Sequence, residues 1–241
     1  MSLWEFANPA RFMRISGAAL PWVAGLAAVI LPAGLAWGFF LTPDDYRQGS
    51  TVKIIFVHVP AAMMAINIYG MIVVASLIWL IRRHHVSALA ARAAAPIGAT
   101  MTVIALLTGA LWGQPMWGTA WAWDPRLTSF FILFLFYVGY IALWAAIEDP
   151  DKAADLTSVL AMVGSVFAVL SRYAVNFWSQ GLHQGATLSI DRDQNIDPVF
   201  WLPLLACIAG FFLLFLALLL VGTRTEIRAR RARALQLAMA G

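Results

Sequence analysis

The sequence is poor in charged residues and in cysteine, and these two shortages exclude whole classes of protein. Charged residues make up 12% of the 241 residues, and hydrophobic residues make up 62%. Ordinary soluble domains are about 25% charged and about 45–50% apolar, so a soluble protein of this size could not bury so many apolar side chains. Because Cys207 is the single cysteine, a disulfide framework and a cysteine metal cluster are excluded. The sequence also lacks the C-x-x-C-H motif of a c-type cytochrome.

What the sequence has instead is six long apolar stretches, each able to form a helix across a bilayer core of about 30 Å. We therefore predict an all-α, polytopic membrane protein with a single membrane domain over residues 1–241. The first stretch is too long for the core of a signal peptide, so we expect it to be retained. The predicted spans are residues 20–41, 53–81, 91–112, 127–147, 156–178 and 199–221.

The basic residues predict the orientation of these spans, because lysine and arginine collect on the cytoplasmic side. The two termini and the loops on their side hold eleven of the sixteen, and Arg172 lies within the fifth span. Both termini are therefore predicted to be cytoplasmic. The basic tail, residues 224–233, is expected to contact membrane lipid or a cytoplasmic partner, and it does not indicate nucleic acid. The outward loops hold only Arg47, Lys53, Arg126 and Arg192.

The second outward loop is unusually rich in tryptophan. Four of the eleven tryptophans, Trp112, Trp117, Trp121 and Trp123, fall within twelve positions. An aromatic belt at the membrane interface is one interpretation. However, Trp117, Trp121 and Asp124 have the spacing of one helical face, which predicts a short interfacial helix lying flat on the membrane. Such a surface suits a large planar ligand, because indole rings are rigid and stack well.

Two polar groups follow the tryptophans. Asp124 followed by Pro125 predicts a helix N-cap, whatever else the aspartate does. Arg126 lies just inside the outer end of the next helix, where it could bind a carboxylate with two hydrogen bonds, pair with Asp124 or bind a lipid phosphate.

Two of the four histidines are predicted to lie near the outward face. His58 lies within the second span, where an ionisable group is costly and is a candidate functional residue. His183, in Gly-Leu-His-Gln-Gly, lies in the third outward loop. His84 and His85 are expected to be solvated residues of an inner loop. Two imidazoles beside a tryptophan-rich surface indicate axial ligands of a haem iron. Zinc and copper are alternative metals, although no third or fourth nitrogen or sulfur ligand is evident in the outward loops. The haem propionates would need cations. The candidate cations are Lys53, Arg126, Arg172 and Arg192.

The tryptophan segment, residues 112–128, resembles the WWD signature of haem-handling membrane proteins. Essentially the whole chain resembles one branch of these proteins, and the motifs His-Val-Pro-Ala around His58 and Leu-His-Gln-Gly around His183 are the most specific points of likeness. That branch is the haem exporter protein C (CcmC) family of cytochrome c maturation. One departure is Ala120, where the family pattern has a further tryptophan. The resemblance implies that His58 and His183 are the axial ligands of a non-covalent haem b. It also implies that the haem and chaperone surface consists of Trp112, Trp117, Trp121, Trp123, Asp124 and Arg126.

The resemblance further implies a bacterial inner-membrane location and partners. Members present haem at the periplasmic face for covalent attachment to a CcmE-like haem chaperone, and they associate with ABC transporter subunits and a small membrane subunit. We expect no enzymatic activity beyond, at most, haem attachment to that chaperone. One alternative is a haem-transporting permease of an ABC exporter, whose ATP use must come from a partner because no P-loop is present. A second alternative is a membrane haem electron-transfer protein, although no inward pair of histidines is present within the spans.

Overall fold

The computed structural model describes residues 8–177 and 196–240, and these residues form six long helices. Every one of the six is long and apolar enough to cross a membrane, so the prediction of an all-α protein with six apolar helices is confirmed. A wider helical turn, Trp37–Leu41, continues α1, and short 3₁₀ turns precede α2 (Ser50–Ile54) and α6 (Pro198–Phe200). The helices are α1 Pro9–Ala36, α2 Ile55–Arg82, α3 His85–Trp117, α4 Pro125–Ala146, α5 Pro150–Phe177 and α6 Trp201–Ala240.

The helix ends follow from ordinary capping chemistry. Asn8 accepts a hydrogen bond from the backbone N–H of Ala10 at 2.9 Å, ahead of a proline in the first turn of α1. Asp124 does the same for α4, because its Oδ1 accepts from the N–H of Leu127 at 2.8 Å. The predicted N-cap role of Asp124 is therefore confirmed. At the end of α3, Gly118 takes a left-handed conformation (φ 76°) that favours glycine.

Most helices are longer than the apolar stretches predicted from the sequence. α3, for example, begins at His85 and ends at Trp117, whereas the predicted span covers residues 91–112. The 40 residues of α6 extend about 60 Å, twice the thickness of a bilayer core of about 30 Å. Hydropathy marks only the part of a helix that suits hydrocarbon, whereas the backbone hydrogen bonds continue into the polar ends.

α2 lies at the centre of the bundle and packs against α3, α5 and α6. Its side chains Ile68, Tyr69 and Ile72 are at most 1% exposed. α1 lies at the periphery against α6, and the two backbones approach closely where a Cβ on Gly34 would lie 3.0 Å from the backbone nitrogen of Cys207. Small residues at helix contacts are typical of membrane bundles, in which close packing replaces the hydrophobic effect.

The antiparallel helices give the bundle two ends, which we name by their contents. The tryptophan end contains residues 37–54, 112–127 and 196–201. The terminal end contains residues 8–16, 79–92, 144–155 and 223–240. The side of the membrane that each end faces remains the prediction made from the basic residues.

At the terminal end the structure adds local contacts to the two histidines of the inner loop. His84, expected to be a solvated loop residue, is the N-cap of α3, and its Nδ1 accepts from the N–H of Ser87 at 3.0 Å. His85, also expected to be a solvated loop residue, is the first residue of α3, and its side chain is 48% exposed. The centroid of its ring lies 5.3 Å from that of Trp79. Both imidazoles are placed by local packing that the sequence pattern did not show.

The basic tail forms the last turns of α6, and several of its side chains make contacts within the bundle. Arg224 donates to the carbonyl of Met13 at 2.6 Å, and Glu226 pairs with Arg92 at 3.1 Å. Arg230 lies 3.3 Å from a carboxylate oxygen of Asp151. Part of the tail charge is therefore matched by the bundle itself, while Arg228, Arg231 and Arg233 are exposed on the helix surface.

Candidate functional site at the tryptophan end

His58 lies in the first turn of α2, at the tryptophan end, where the sequence predicted it. Its side chain is partly buried, and Pro60 follows in the second turn of the same helix. Proline has no N–H, so it cannot donate to the carbonyl of Phe56 in the helical hydrogen-bond pattern. The helix continues through Pro60, which leaves His58 on a rigid element rather than on a loop.

The imidazole of His58 contacts the next helix through Thr108. Nδ1 of His58 lies 3.1 Å from Oγ1 of Thr108. The same hydroxyl donates back to the carbonyl of Ile104, one turn earlier in α3, at 2.6 Å. Thr108 therefore links the ring of His58 to the backbone of α3.

Two glycines of α3 near His58 allow aromatic rings to lie against the backbone of that helix. A Cβ on Gly109 would lie 3.1 Å from Cε1 of His58. One turn further out, a Cβ on Gly113 would lie 3.0 Å from Cε3 of Trp117. The spacing of Gly109 and Gly113 places them on one face of α3, about 6 Å apart along the helix. His58 and Trp117 therefore occupy neighbouring positions on one glycine-lined face.

The first connection of the chain packs over the end of α3. Oε1 of Gln48 accepts a hydrogen bond from the indole N–H of Trp112 at 2.8 Å. The rings of Trp112 and Trp117 meet edge to face, with centroids 5.1 Å apart, a geometry that aromatic pairs favour. Trp112 is thus fixed on both sides, by a hydrogen bond to the 42–54 connection and by a ring contact to Trp117.

The predicted flat interfacial helix is wrong. Trp117 is the last residue of α3, and residues 119–124 contain no helix, so Trp117, Trp121 and Asp124 do not share a helical face. The hydroxyl of Thr119 donates to the carbonyl of Trp121 at 2.8 Å and lies 3.3 Å from the N–H of Trp121. This local turn competes with a helix for the same backbone groups.

The indoles of this segment form an edge-to-face cluster and not a flat platform. Trp121 lies between Trp123 and Phe131, with ring centroids 5.5 Å and 6.0 Å away and interplanar angles near perpendicular. The ring of Trp123 is 75% exposed, and Ala120, at the position where the family pattern has tryptophan, is exposed too. The buried indole nitrogen of Trp121 has no hydrogen-bond acceptor among the residues that the structure describes.

The candidate cations have different surroundings. Nζ of Lys53 lies 3.1 Å from a carboxylate oxygen of Asp44, so its charge is already matched. Arg126 is half-buried in the first turn of α4, close enough to Arg172 for the two positive charges to repel and close enough to Asp124 for attraction. Arg172 lies on α5 with an exposed side chain. Arg192 and the predicted ligand His183 lie outside the described residues.

Two residues, Thr108 and Gln48, contribute to this site although the sequence pattern does not single them out. One signal for Thr108 was available: it lies four residues from the end of its predicted span, and His58 lies five residues inside the facing one. Two polar groups at the same depth on adjacent antiparallel helices are candidates for contact.

Six apolar helices with a partly buried histidine and a tryptophan cluster at one end define a multi-pass helical membrane protein with a candidate binding site at that end. The sequence pattern of the heme exporter protein C (CcmC) family matches residues 2–238. The chain belongs to this family.

Similarity to individual members extends over almost the full length. The heme exporter protein C of Paracoccus denitrificans is 71% identical over 235 residues, which cover 98% of this chain and 97% of the relative. That of Rhodobacter capsulatus is 69% identical over 236 residues, covering 98% of both chains. That of Escherichia coli K12 is 43% identical over 226 residues, covering 94% of this chain and 91% of the relative.

Proposed function

We propose that this protein binds haem b non-covalently at the tryptophan end and presents it to a CcmE-like haem chaperone in the maturation of c-type cytochromes. The observation that carries the proposal is the placement of His58. Its imidazole is held on the glycine-lined face of α3, next to Trp117, by a contact to Thr108. The membership of the heme exporter protein C family supports haem as the ligand.

The residues at this end fit a haem in three respects. His58 offers an imidazole, which is a common axial ligand of haem iron. Gly109 has no Cβ, so the imidazole of His58 can lie against the backbone of α3. Arg126 and Arg172, whose positive charges lie close to each other, suit the two carboxylates of a haem. His183 is the second axial ligand in this proposal, on the basis of the sequence alone.

The haem and the protein have separate roles in this proposal. The haem supplies a reactive vinyl group to which a nucleophile of the chaperone can add, while the protein supplies orientation and electrostatics. His58 fixes the iron on a rigid helix, and the exposed ring of Trp123 provides apolar surface for the haem and the chaperone. Trp112, Trp117, Trp121, Asp124 and Arg126 complete the proposed surface.

The predicted orientation places the tryptophan end at the periplasmic face of the bacterial inner membrane, where the chaperone would meet it. ABC transporter subunits and a small membrane subunit are the other partners in this proposal, and the exposed arginines at the end of α6 are available to a cytoplasmic one. Site-specific crosslinkers at Trp123 and at Arg231 distinguish the two ends. We expect the chaperone to crosslink at Trp123, and crosslinking only at Arg231 would contradict the proposal.

The direct test is the visible absorption spectrum of the purified protein supplied with haem. We expect a six-coordinate low-spin spectrum that His58→Ala and His183→Ala each abolish or convert to high-spin. His85→Ala is the matched control, because His85 lies at the opposite end and is half exposed, and we expect it to leave the spectrum unchanged. If the wild-type protein binds no haem, or if all three variants behave alike, the two histidines are structural.

A further inference from the structure

We infer that Thr108 is a positioning residue that fixes the tautomer of His58, so that the lone pair of the imidazole lies on Nε2. Thr108 has a single hydroxyl hydrogen to donate. Oγ1 lies 2.6 Å from the carbonyl oxygen of Ile104, and that distance is typical of a donated O–H···O bond. A threonine in a helix commonly donates to the carbonyl one turn before it. The hydroxyl hydrogen is therefore committed to Ile104.

The contact with His58 then places a proton on the imidazole. With its hydrogen used, Oγ1 of Thr108 can only accept, so the 3.1 Å contact with Nδ1 requires an N–H on that nitrogen. A neutral imidazole has one N–H, and the other nitrogen carries the lone pair. That nitrogen is Nε2. Two hydrogen bonds in series therefore link the imidazole to the backbone of α3: Nδ1–H of His58 donates to Thr108, and Thr108 donates to the carbonyl of Ile104.

The imidazole ring of His58 is also held in one orientation. Gly109 follows Thr108, and a Cβ there would lie 3.1 Å from Cε1 of His58. The ring is therefore bounded by the Thr108 hydroxyl at Nδ1 and by the backbone of α3 at Cε1. A histidine that binds a metal through one nitrogen usually donates the other N–H to a fixed acceptor, which sets the tautomer and the ring direction. Thr108 fulfils this role with a neutral hydroxyl.

Other threonines in α3 show that this arrangement is specific to one position. Thr100 and Thr102 also donate to the carbonyls four residues before them, at 2.9 Å and 2.7 Å. Among the residues that the structure describes, neither contacts a histidine, whereas Thr108 contacts His58. Thr102 is fully buried, which makes Thr102→Val a matched control for the loss of a buried hydroxyl from the same helix.

The tautomer is tested without haem, by nitrogen NMR of the purified full-length protein labelled with ¹⁵N-histidine in detergent micelles. The signals of His58 are identified by their loss in His58→Ala. We expect a protonated Nδ1 and an unprotonated Nε2 in the wild type and in Thr102→Val. In Thr108→Val, which keeps the shape but removes the acceptor, we expect signals of the Nε2–H tautomer to appear. Thr108→Ser keeps a hydroxyl and should restore the wild-type pattern.

The consequence for haem rests on the proposed function and is measured separately, by haem titration. Loss of a residue that orients a metal ligand typically costs about 10–100-fold in affinity, and we expect a loss in this range for Thr108→Val, with a high-spin contribution in the visible spectrum. Thr108→Ser should recover most of the affinity, and Thr102→Val should match the wild type.

The outcomes separate the two ideas. A wild-type His58 that carries its proton on Nε2, or a Thr108→Val variant that keeps the wild-type tautomer, would overturn the inference. A changed tautomer in Thr108→Val with unchanged haem affinity would overturn the positioning role. If the wild type has the Nδ1–H tautomer and loses it in Thr108→Val but never binds haem, the assignment of Thr108 stands and the proposed function fails.

Discussion

The two ends of the bundle satisfy their polar groups in different ways. At the terminal end, cations and carboxylates lie next to each other: Arg92 pairs with Glu226, Arg83 with Asp155 and Arg230 with Asp151. Aromatic rings complete this network, since the guanidinium of Arg92 lies 4.9 Å from the ring centroid of Trp144. Several charges of each sign are therefore matched within the protein at this end.

At the tryptophan end, the described carboxylates are used mainly for backbone caps. Asp45 accepts from the N–H groups of Arg47 and Gln48, and Asp124 and Asp197 cap helices. Arg126 lies in the first turn of α4, just after the tryptophan segment, and its positive neighbour is Arg172. An end built from apolar rings and like-charged cations suits an anionic planar ligand, whereas the ion pairs of the terminal end suit a structural role.

The largest expected effect lies at the terminal end, on stability. The pair of Arg92 and Glu226 is only 29% and 23% exposed, so Arg92→Ala leaves a mostly buried carboxylate without its partner. We expect a loss of about 2–3 kcal/mol, since breaking a fully buried pair costs about 3–5 kcal/mol. In a protein of this size this corresponds to a fall of roughly 5–10 °C in Tm. Thermal unfolding in detergent measures the change.

Arg83→Ala is the matched control, because it removes an arginine from the same end. Its pair with Asp155 is 57% and 41% exposed, and exposed pairs contribute at most about 1 kcal/mol. Neither variant should change the haem spectrum. If Arg92→Ala weakened haem binding as strongly as it lowered Tm, the separation of a structural end from a binding end would be wrong.

The second effect concerns Gly109 and is expected at the tryptophan end alone. In Gly109→Ala the new Cβ would lie 3.1 Å from Cε1 of His58, so the ring must shift by a few tenths of an ångström. Because disturbing the contacts that orient a metal ligand typically costs about 10–100-fold in affinity, we expect haem affinity to fall roughly tenfold. Haem titration of the purified protein measures this change.

Gly70→Ala provides the comparison for this glycine, because a Cβ on Gly70 would have no heavy atom within 4 Å. We expect its haem affinity to stay within about twofold of the wild type, as for an ordinary surface substitution. Equal losses in Gly109→Ala and Gly70→Ala would show that the close approach of His58 to α3 does not matter for binding.

The sequence predicts the helices of this protein better than it predicts the connections between them. The six helices follow from apolar length, and the positions of His58 and Asp124 follow from residue chemistry. The tryptophan segment did not follow, because Gly118 ends α3 in a left-handed conformation and the Thr119 hydroxyl forms a local turn with Trp121. Helical spacing of side chains in a short segment does not reveal whether its backbone forms a helix or a local turn held by a side chain.

The contact between His58 and Thr108 could not be predicted either, since it joins residues 50 positions apart. A threonine in an apolar span can satisfy its hydroxyl within its own helix, so its presence alone indicates nothing about a site. Only the packing of α2 against α3 shows that the same oxygen also serves a histidine. The chemistry of the site was therefore predictable in part, from its rarest residues, and its supporting contacts were not.

The smallest expected effect separates the candidate cations at the tryptophan end. Lys53 is paired with Asp44 at 3.1 Å, and the Asp44 side chain is 58% exposed, so Lys53→Gln should change haem affinity by less than about twofold. Arg126 is half-buried beside Arg172, and a charge-assisted hydrogen bond contributes about 1.5–3 kcal/mol. Arg126→Gln should therefore lower haem affinity by about tenfold if its guanidinium binds a propionate.

Haem dimethyl ester sharpens this comparison, because it lacks the propionate charges and keeps the iron and the ring. If Arg126 acts on a propionate, Arg126→Gln should weaken binding of haem but leave binding of the ester nearly unchanged. An equal loss for both ligands would mean that Arg126 acts through the fold, for example through Asp124 at the start of α4. A larger loss for Lys53→Gln than for Arg126→Gln would show that the ion pair of Lys53 with Asp44 opens to bind the ligand. An ion pair at the tryptophan end would then not prevent a cation from binding haem, contrary to the comparison made above.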